Sequence, residues 1–168
     1  MEKIIIKENN GILKLILNDP KNLNALSEKM LDEINISLKK IKKNKKIKVV
    51  IIESSTNSFC AGHDLKEMQL ARKSTNSRYY YKKLFKKCSK IMQKINSLPQ
   101  PVIACVEGVA AAAGCQLVAT CDMAVATKDA KFGVNGVNIG LFCSTPMVAL
   151  TRNIGRKKTF EMLVTGEF

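Results

Sequence analysis

Residues 101–126 read PVIACVEGVAAAAGCQLVATCDMAVA. Pro101-Val102-Ile103-Ala104-Cys105-Val106 is a continuous apolar run of strand length, the pattern of a strand inside a parallel sheet. Glu107-Gly108 turns the chain. Ala110 to Gly114 is a run of very small side chains, Cys115 to Cys121 reads as a short helix, and Met123 to Ala126 as a further strand. A strand, a helix and another strand in so short a span point to an α/β protein with parallel pairing.

Working outward, the segment before this unit repeats its logic. Ile47-Lys48-Val49-Val50-Ile51-Ile52 is β-branched and apolar, as expected of a strand buried on both faces. A polar loop, Ser54 to Ser58, leads into Phe59-Cys60-Ala61-Gly62-His63-Asp64-Leu65. A long helix is expected over Ser77 to Asn96, with Tyr81, Leu84, Phe85, Cys88, Ile91, Met92 and Ile95 on its apolar stripe. Pro99 and Pro101 end it, because proline lacks the N–H and disfavours helix at the residue before it. Further back, Ile4 to Lys7 and Ile12 to Leu17 flank Asn9-Asn10-Gly11, and Asn-Gly favours the positive φ of a tight hairpin. Ser27 is a good N-cap, with Leu26 and Leu31 at the two positions of a hydrophobic staple. Leu31, Ile34, Leu38 and Ile41 then mark one helical face. The whole chain reads as stacked ββα or βαβ units.

The composition excludes several classes. The 168 residues suit one domain, taken as 1–168, and the chain is 46% hydrophobic and 25% charged, as globular proteins are. Six cysteines show no CxxC spacing and no Cys/His cluster, so no metal site is expected. His63 is the single histidine, which excludes any mechanism that needs two imidazoles. No apolar run approaches the roughly 20 residues of a membrane span. The opening MEKIIIKENN lacks signal-peptide architecture, which argues for free thiols and leaves the mitochondrion or the cytoplasm as the compartment.

The net charge is +14, with seven lysines in KKIKKNKKIK (39–48) and more at Lys82, Lys83, Lys86 and Lys87. Such a chain attracts anions. The lysines lie on periodic helices beside apolar faces, however, and no stacking aromatics are interleaved with them. They read as solvated helix faces, and nucleic acid is not expected as a partner.

Two segments place small residues directly after a strand: the run through Ala61-Gly62-His63, and the run through Ala112-Ala113-Gly114. Chain without side-chain bulk presents backbone N–H groups, and those opening a helix have no partner within it. One donor from each segment would hold an oxyanion forming on a carbonyl.

Taken in order, Asn24-Ala25-Leu26-Ser27, the 59–65 segment, Pro101 to Ala104 with Gly108, Ala112-Ala113-Gly114-Cys115-Gln116-Leu117, Cys121 to Ala126 and Phe132-Gly133 resemble the crotonase superfamily, the enoyl-CoA hydratase/isomerases. Residues 112–126, GVNIGLFCSTP and the closing 162–167 stretch are most similar to the subgroup called enoyl-CoA hydratase domain-containing protein 3. The resemblance implies a crotonase spiral of stacked ββα units and an acyl-CoA thioester site. It needs no cofactor beyond the coenzyme A of the substrate. By motif position, the backbone N–H groups of His63 and Ala113 form the oxyanion hole. Ala61, His63, Asp64, Leu65 and Lys66 line the CoA, Asn24, Ala25 and Leu26 lie nearby, and Gly114 belongs to the same site.

The pattern departs from water-adding hydratases at two places. Their two glutamates fall at Gln116 and Gly136 here. Glutamine is no general base, and glycine has no side chain. General acid–base catalysis is worth about 10²- to 10⁴-fold, so ordinary hydration is expected to be weak. Gln116 reads either as a group that positions a water or as a satisfied polar residue at a helix start. Asp64 reads either as a CoA contact or as the cap of a helix starting at Leu65. Cys143 and Ser144 fall near the acyl end without an activating base.

The expected activity is that of an acyl-CoA lyase or isomerase. The alternatives are another crotonase reaction, a non-catalytic acyl-CoA sensor or scaffold, and RNA binding by the lysine faces. Relatives continue past the position of Phe168 into helices, so this chain is expected to lack that part. Phe160, Met162, Leu163 and Val164 are then expected to be exposed and to favour a homotrimer or hexamer.

Overall fold

The computed structural model describes residues 2–168. Strands β1 (Ile4–Asn9) and β2 (Ile12–Leu17) form an antiparallel hairpin. Its turn holds Asn10 at φ 48° and Gly11 at φ 79°, the positive pair that Asn-Gly supplies cheaply. Strands β3 (Val49–Ser54), β4 (Val102–Val106) and β6 (Met123–Ala126) then add in parallel, giving the order β1-β2-β3-β4-β6. A second, smaller sheet pairs β5 (Val109–Ala111) with β7 (Lys131–Gly133) in parallel. Single bridges extend it: Cys60 to Ala110, Ser58 to Gly108, and Leu26 to His63.

The helices are α1 (Glu28–Lys43), α2 (Leu65–Arg72), α3 (Ser77–Asn96), α4 (Ala113–Thr120), α5 (Ser144–Asn153) and α6 (Arg156–Thr165). Each turn of the chain visits the large sheet, then the small one, then a helix. Thus β3 leads through residues 58–63 to α2 and α3, β4 through β5 to α4, and β6 through β7 to α5. This is the spiral of stacked ββα units expected from the sequence.

Local signals place the helices. The Ser27 side chain accepts the Met30 N–H at 3.2 Å, and Leu26 and Leu31 are both buried beside that cap. The faces Leu31-Ile34-Leu38-Ile41 of α1 and Leu84-Cys88-Ile91-Ile95 of α3 pack with Leu13, Leu15, Val50, Ile52, Val102 and Ala104 in one core. Cys115, Val134, Cys143, Leu150, Met162 and Leu163 form a second cluster around α4, α5 and α6.

Two expectations need correction. β3 is not buried on both faces: Val50 and Ile52 are buried, but Val49 and Ile51 are half-buried. The helices cover one side of the large sheet. On the opposite face Met123 and Val125 are 60% and 58% exposed, alongside exposed Ile12 and Cys105. The apolar end is also not uniformly open. Phe160 is 65% exposed and Val164 is exposed, whereas Met162 and Leu163 turn into the second cluster. Among the described residues, no helix is long and apolar enough to cross a membrane.

Candidate functional site

The site is built where two successive turns of the spiral touch. Ala111 N donates to the Cys60 carbonyl at 2.9 Å, and Ala112 N to Gly133 at 2.8 Å. Ala112 stands at φ 47°, ψ −113°, a left-handed backbone that an alanine adopts only under constraint. That kink starts α4 abruptly and leaves the Ala113 N–H at its first position, where no helical carbonyl lies behind it. Gly114 lets the helix end sit directly on the previous turn: a Cβ there would lie 2.2 Å from the Cys60 carbonyl oxygen.

The other donor comes from that previous turn. Gly62 has φ +94°, and a Cβ on it would lie 3.4 Å from Ala113 N, so the two segments are in contact. Leu26 N donates to the Gly62 carbonyl at 2.7 Å. In this parallel register the groups flanking His63 face Leu26. The bridge pairs Leu26 with His63, and Cys60 bridges Ala110 on the neighbouring turn.

These segments border a cavity of about 330 Å³. Ala61, His63, Ala112 and Ala113 form its backbone wall, and Leu65, Met68 and Phe85 form an apolar wall from α2 and α3. Gly136, Cys143, Ser144 and Thr145 close the far side. The His63 ring stands edge-on to Phe85, centroids 5.4 Å apart, and neither ring nitrogen has a hydrogen-bond partner among the described residues. Burial holds this imidazole below its ordinary pKa of 6.5; the nearby Leu26 backbone opposes that only in part, so the ring is neutral at pH 7. Burial likewise raises the Cys143 thiol, with the Gly136 backbone pulling the other way. Burial and the neighbouring Cys143 push Cys115 up to about 11. Both remain thiols, and neither is an activated nucleophile.

Of the residues singled out from sequence, Ala61, His63, Leu65, Ala113 and Gly136 line this cavity. Asp64 caps α2, accepting from Lys66 N at 2.9 Å and Glu67 N at 3.2 Å. Lys66 is exposed, its Nζ 3.5 Å from Asn22 Oδ1. Asn24, Ala25 and Leu26 are buried behind the wall. Asn24 is fully engaged there: its Nδ2 donates to Ser54 Oγ at 2.7 Å and to the Ser58 carbonyl at 2.9 Å, and its Oδ1 accepts from Asp19 N at 2.7 Å. Gly114 lies in the seam.

Gln116 lies one helical turn beyond Ala113 and lines a separate cavity of about 290 Å³ between α3, α4 and α5. It is not a satisfied polar residue, since its buried Oε1 has no partner. Gly136 is tightly enclosed: a Cβ there would lie 2.3 Å from the Leu141 carbonyl oxygen and 2.6 Å from Cys143 Sγ. Sequence reasoning had Phe85 on a helix stripe and did not identify it, Met68 or Thr145 as cavity walls. Phe85 at the edge of its stripe was the one available signal.

The chain matches the sequence profile of the family described as Enoyl-CoA hydratase/isomerase over residues 7–168. This chain belongs to that family. A crystal structure of enoyl-CoA hydratase from Mycobacterium smegmatis superposes with a TM-score of 0.93 at 52% identity, covering 99% of this chain and 63% of that one. The crystal structure of human enoyl coenzyme A hydratase domain-containing protein 3 gives a TM-score of 0.91 at 44% identity, covering 98% and 64%. In sequence, the human protein named enoyl-CoA hydratase domain-containing protein 3, mitochondrial, is 48% identical over 157 residues, 94% of this chain and 50% of that protein. The zebrafish protein of the same name is 45% identical, over 96% of this chain and 55% of its own length. The chain therefore spans about half the length of these curated relatives, and its fold is the crotonase fold of this enoyl-CoA hydratase/isomerase family.

Proposed function

We propose that the cavity binds an acyl-CoA thioester, with its carbonyl oxygen accepting the N–H groups of His63 and Ala113. The observation that carries this reading is the seam itself. A helix N-terminus and a glycine-turned strand meet at one apolar cavity. Such donors lower the cost of forming an enolate beside the thioester, and losing one in comparable sites costs about 3–4 kcal/mol. The reading is an enoyl-CoA hydratase/isomerase-like lyase or isomerase in which ordinary hydration is slow. Gln116 supplies no base to this cavity, and Gly136 supplies no side chain.

The same absence of carboxylates favours a second reading, a non-catalytic acyl-CoA sensor or scaffold. Asp64 and Lys66 sit by the segment that the family pattern assigns to CoA. The mitochondrial names of the relatives favour the mitochondrion over the cytoplasm. The exposed apolar face of the large sheet, with Phe160 and Val164, supports association into a homotrimer or hexamer.

The test is difference infrared spectroscopy of acetyl-CoA labelled with ¹³C at the thioester carbonyl. A carbonyl stretch lowered on binding supports the oxyanion hole. Binding without a shift refutes it, and no binding at millimolar ligand refutes the acyl-CoA site. Deuterium exchange at the α-carbon then separates the enzyme, which exchanges it, from the sensor, which does not.

A further inference from the structure

The second cavity, about 290 Å³ between α3, α4 and α5, is not an extension of the apolar pocket in character, although Thr145 lines both. Gln116, Gln93, Asn96 and Asn153 contribute amides to it, and Arg152 is the one charged residue among the described residues lining it. Gln116 is 6% exposed, and its amide oxygen has no partner. A buried amide left so costs free energy unless something in the cavity completes it. Its oxygen and NH₂ exchange places by rotation, so it offers either an acceptor or a donor to that space. Arg152 lines the chamber, is exposed, and makes no ion pair with a carboxylate among the described residues.

The two chambers adjoin at Thr145, the one residue among those described that lines both. Thr145 is in the first turn of α5 and Arg152 in its last, about 10 Å apart at 1.5 Å rise per residue. An acyl chain whose thioester is held at His63 and Ala113 would enter the second chamber past Thr145 and meet Gln116 and Arg152 there. A wholly hydrocarbon tail there would leave the Gln116 amide unpaired and offer Arg152 no partner. A tail ending in a carboxylate would accept a forked pair of bonds from Arg152 and one more from the Gln116 amide.

We infer that this protein selects acyl-CoA thioesters of medium length whose acyl chain ends in a carboxylate, with Gln116 and Arg152 as the selecting residues. The inference rests on the acyl-CoA reading above and adds the substrate class.

Isothermal titration of the 168-residue chain with acetyl-CoA, octanoyl-CoA and octanedioyl-CoA tests it. The expected result is binding of octanedioyl-CoA about tenfold or more tighter than octanoyl-CoA, the worth of one charge-assisted hydrogen bond. Arg152→Ala, a change at an exposed position, removes that preference and leaves acetyl-CoA binding as it was. Arg152→Lys keeps part of it. Equal affinities for the two eight-carbon thioesters, or a preference that survives Arg152→Ala, overturns the inference while leaving the acyl-CoA site intact. Failure of all three ligands to bind overturns both.

Discussion

Restoring glutamates at residues 116 and 136 is the direct route to a conventional hydratase, and the geometry of Gly136 opposes it. A first side-chain carbon at 136 would meet the Leu141 carbonyl oxygen at 2.3 Å and Cys143 Sγ at 2.6 Å. The carbonyl must retreat by about 1 Å to reach ordinary contact. Yet Leu141 N donates to the Gly136 carbonyl at 2.9 Å, so the two residues are tied across a tight loop that has little slack. Overpacking of this kind costs about 1–3 kcal/mol. At about 2–4 °C per kcal/mol for a domain of this size, Gly136→Ala is expected to lower Tm by about 2–12 °C. Adding Cys143→Ala removes the sulfur clash alone and recovers only part of the loss, because the nearer atom is backbone. Gln116→Glu with Gly136→Glu is expected to remain about 10²- to 10⁴-fold below a two-glutamate hydratase on crotonyl-CoA. Scanning calorimetry and loss of the enoyl thioester absorbance measure the two quantities. A Gly136→Ala protein that melts with its parent, together with brisk hydration by the double variant, would refute the reasoning.

Three further outcomes are expected. His63 is the only histidine, and its folded pKa lies below 6.5. As pH falls below that value the unfolded state takes up a proton first, so stability drops until the folded pKa is passed. His63→Phe should abolish that drop in thermal melts between pH 7.5 and 5, and identical pH profiles would contradict the buried neutral imidazole. Asn24→Ala removes four side-chain hydrogen bonds, one buried and three part-buried, and should cost about 3 kcal/mol in urea unfolding, far more than a surface asparagine; a loss under about 1 kcal/mol would deny the network its weight. Gly114→Ala drives a methyl to 2.2 Å from the Cys60 carbonyl, so it should open the seam. The expected readout is a stability loss of about 1–3 kcal/mol with abolished thioester binding, and undiminished binding would place the oxyanion donors elsewhere.

The parts of the fold legible in the sequence are those decided by neighbours along the chain. Asn10-Gly11 sets the hairpin, Ser27 starts α1, and the stripe closed by Pro99 and Pro101 gives α3 its observed span from Ser77 to Asn96. Helices α5 and α6 did not stand out, since each buries only a few positions, such as Leu150, or Met162 and Leu163. The open face of β3 was invisible because an apolar strand reads the same whether its second side meets a helix or solvent. At the site, the two small-residue segments were legible through their lack of bulk, and both line the cavity. Which cavity Gln116 enters depends on α3 and α5 closing around it, and Asn24's role on residues 54 and 58 arriving from the next turn. Neither contact has a local signature.

The seam between turns carries one more consequence. The halves of the site are held by bonds that never run through α2 or α3: Ala61 N to Leu23 O at 3.0 Å, Leu26 N to Gly62 O at 2.7 Å, and Ala111 N to Cys60 O at 2.9 Å. The helices between His63 and Ala113 are thus a detour, joined by an exposed linker at residues 73–76. Like adjacent threads of a screw, the two strands stay in register whatever the length of the path connecting them. The linker can therefore lengthen, shorten or be cut there with the two segments still in contact at one cavity. Evolution is free to remodel that excursion, and with it the apolar wall of Met68 and Phe85, without moving the groups that would hold the carbonyl.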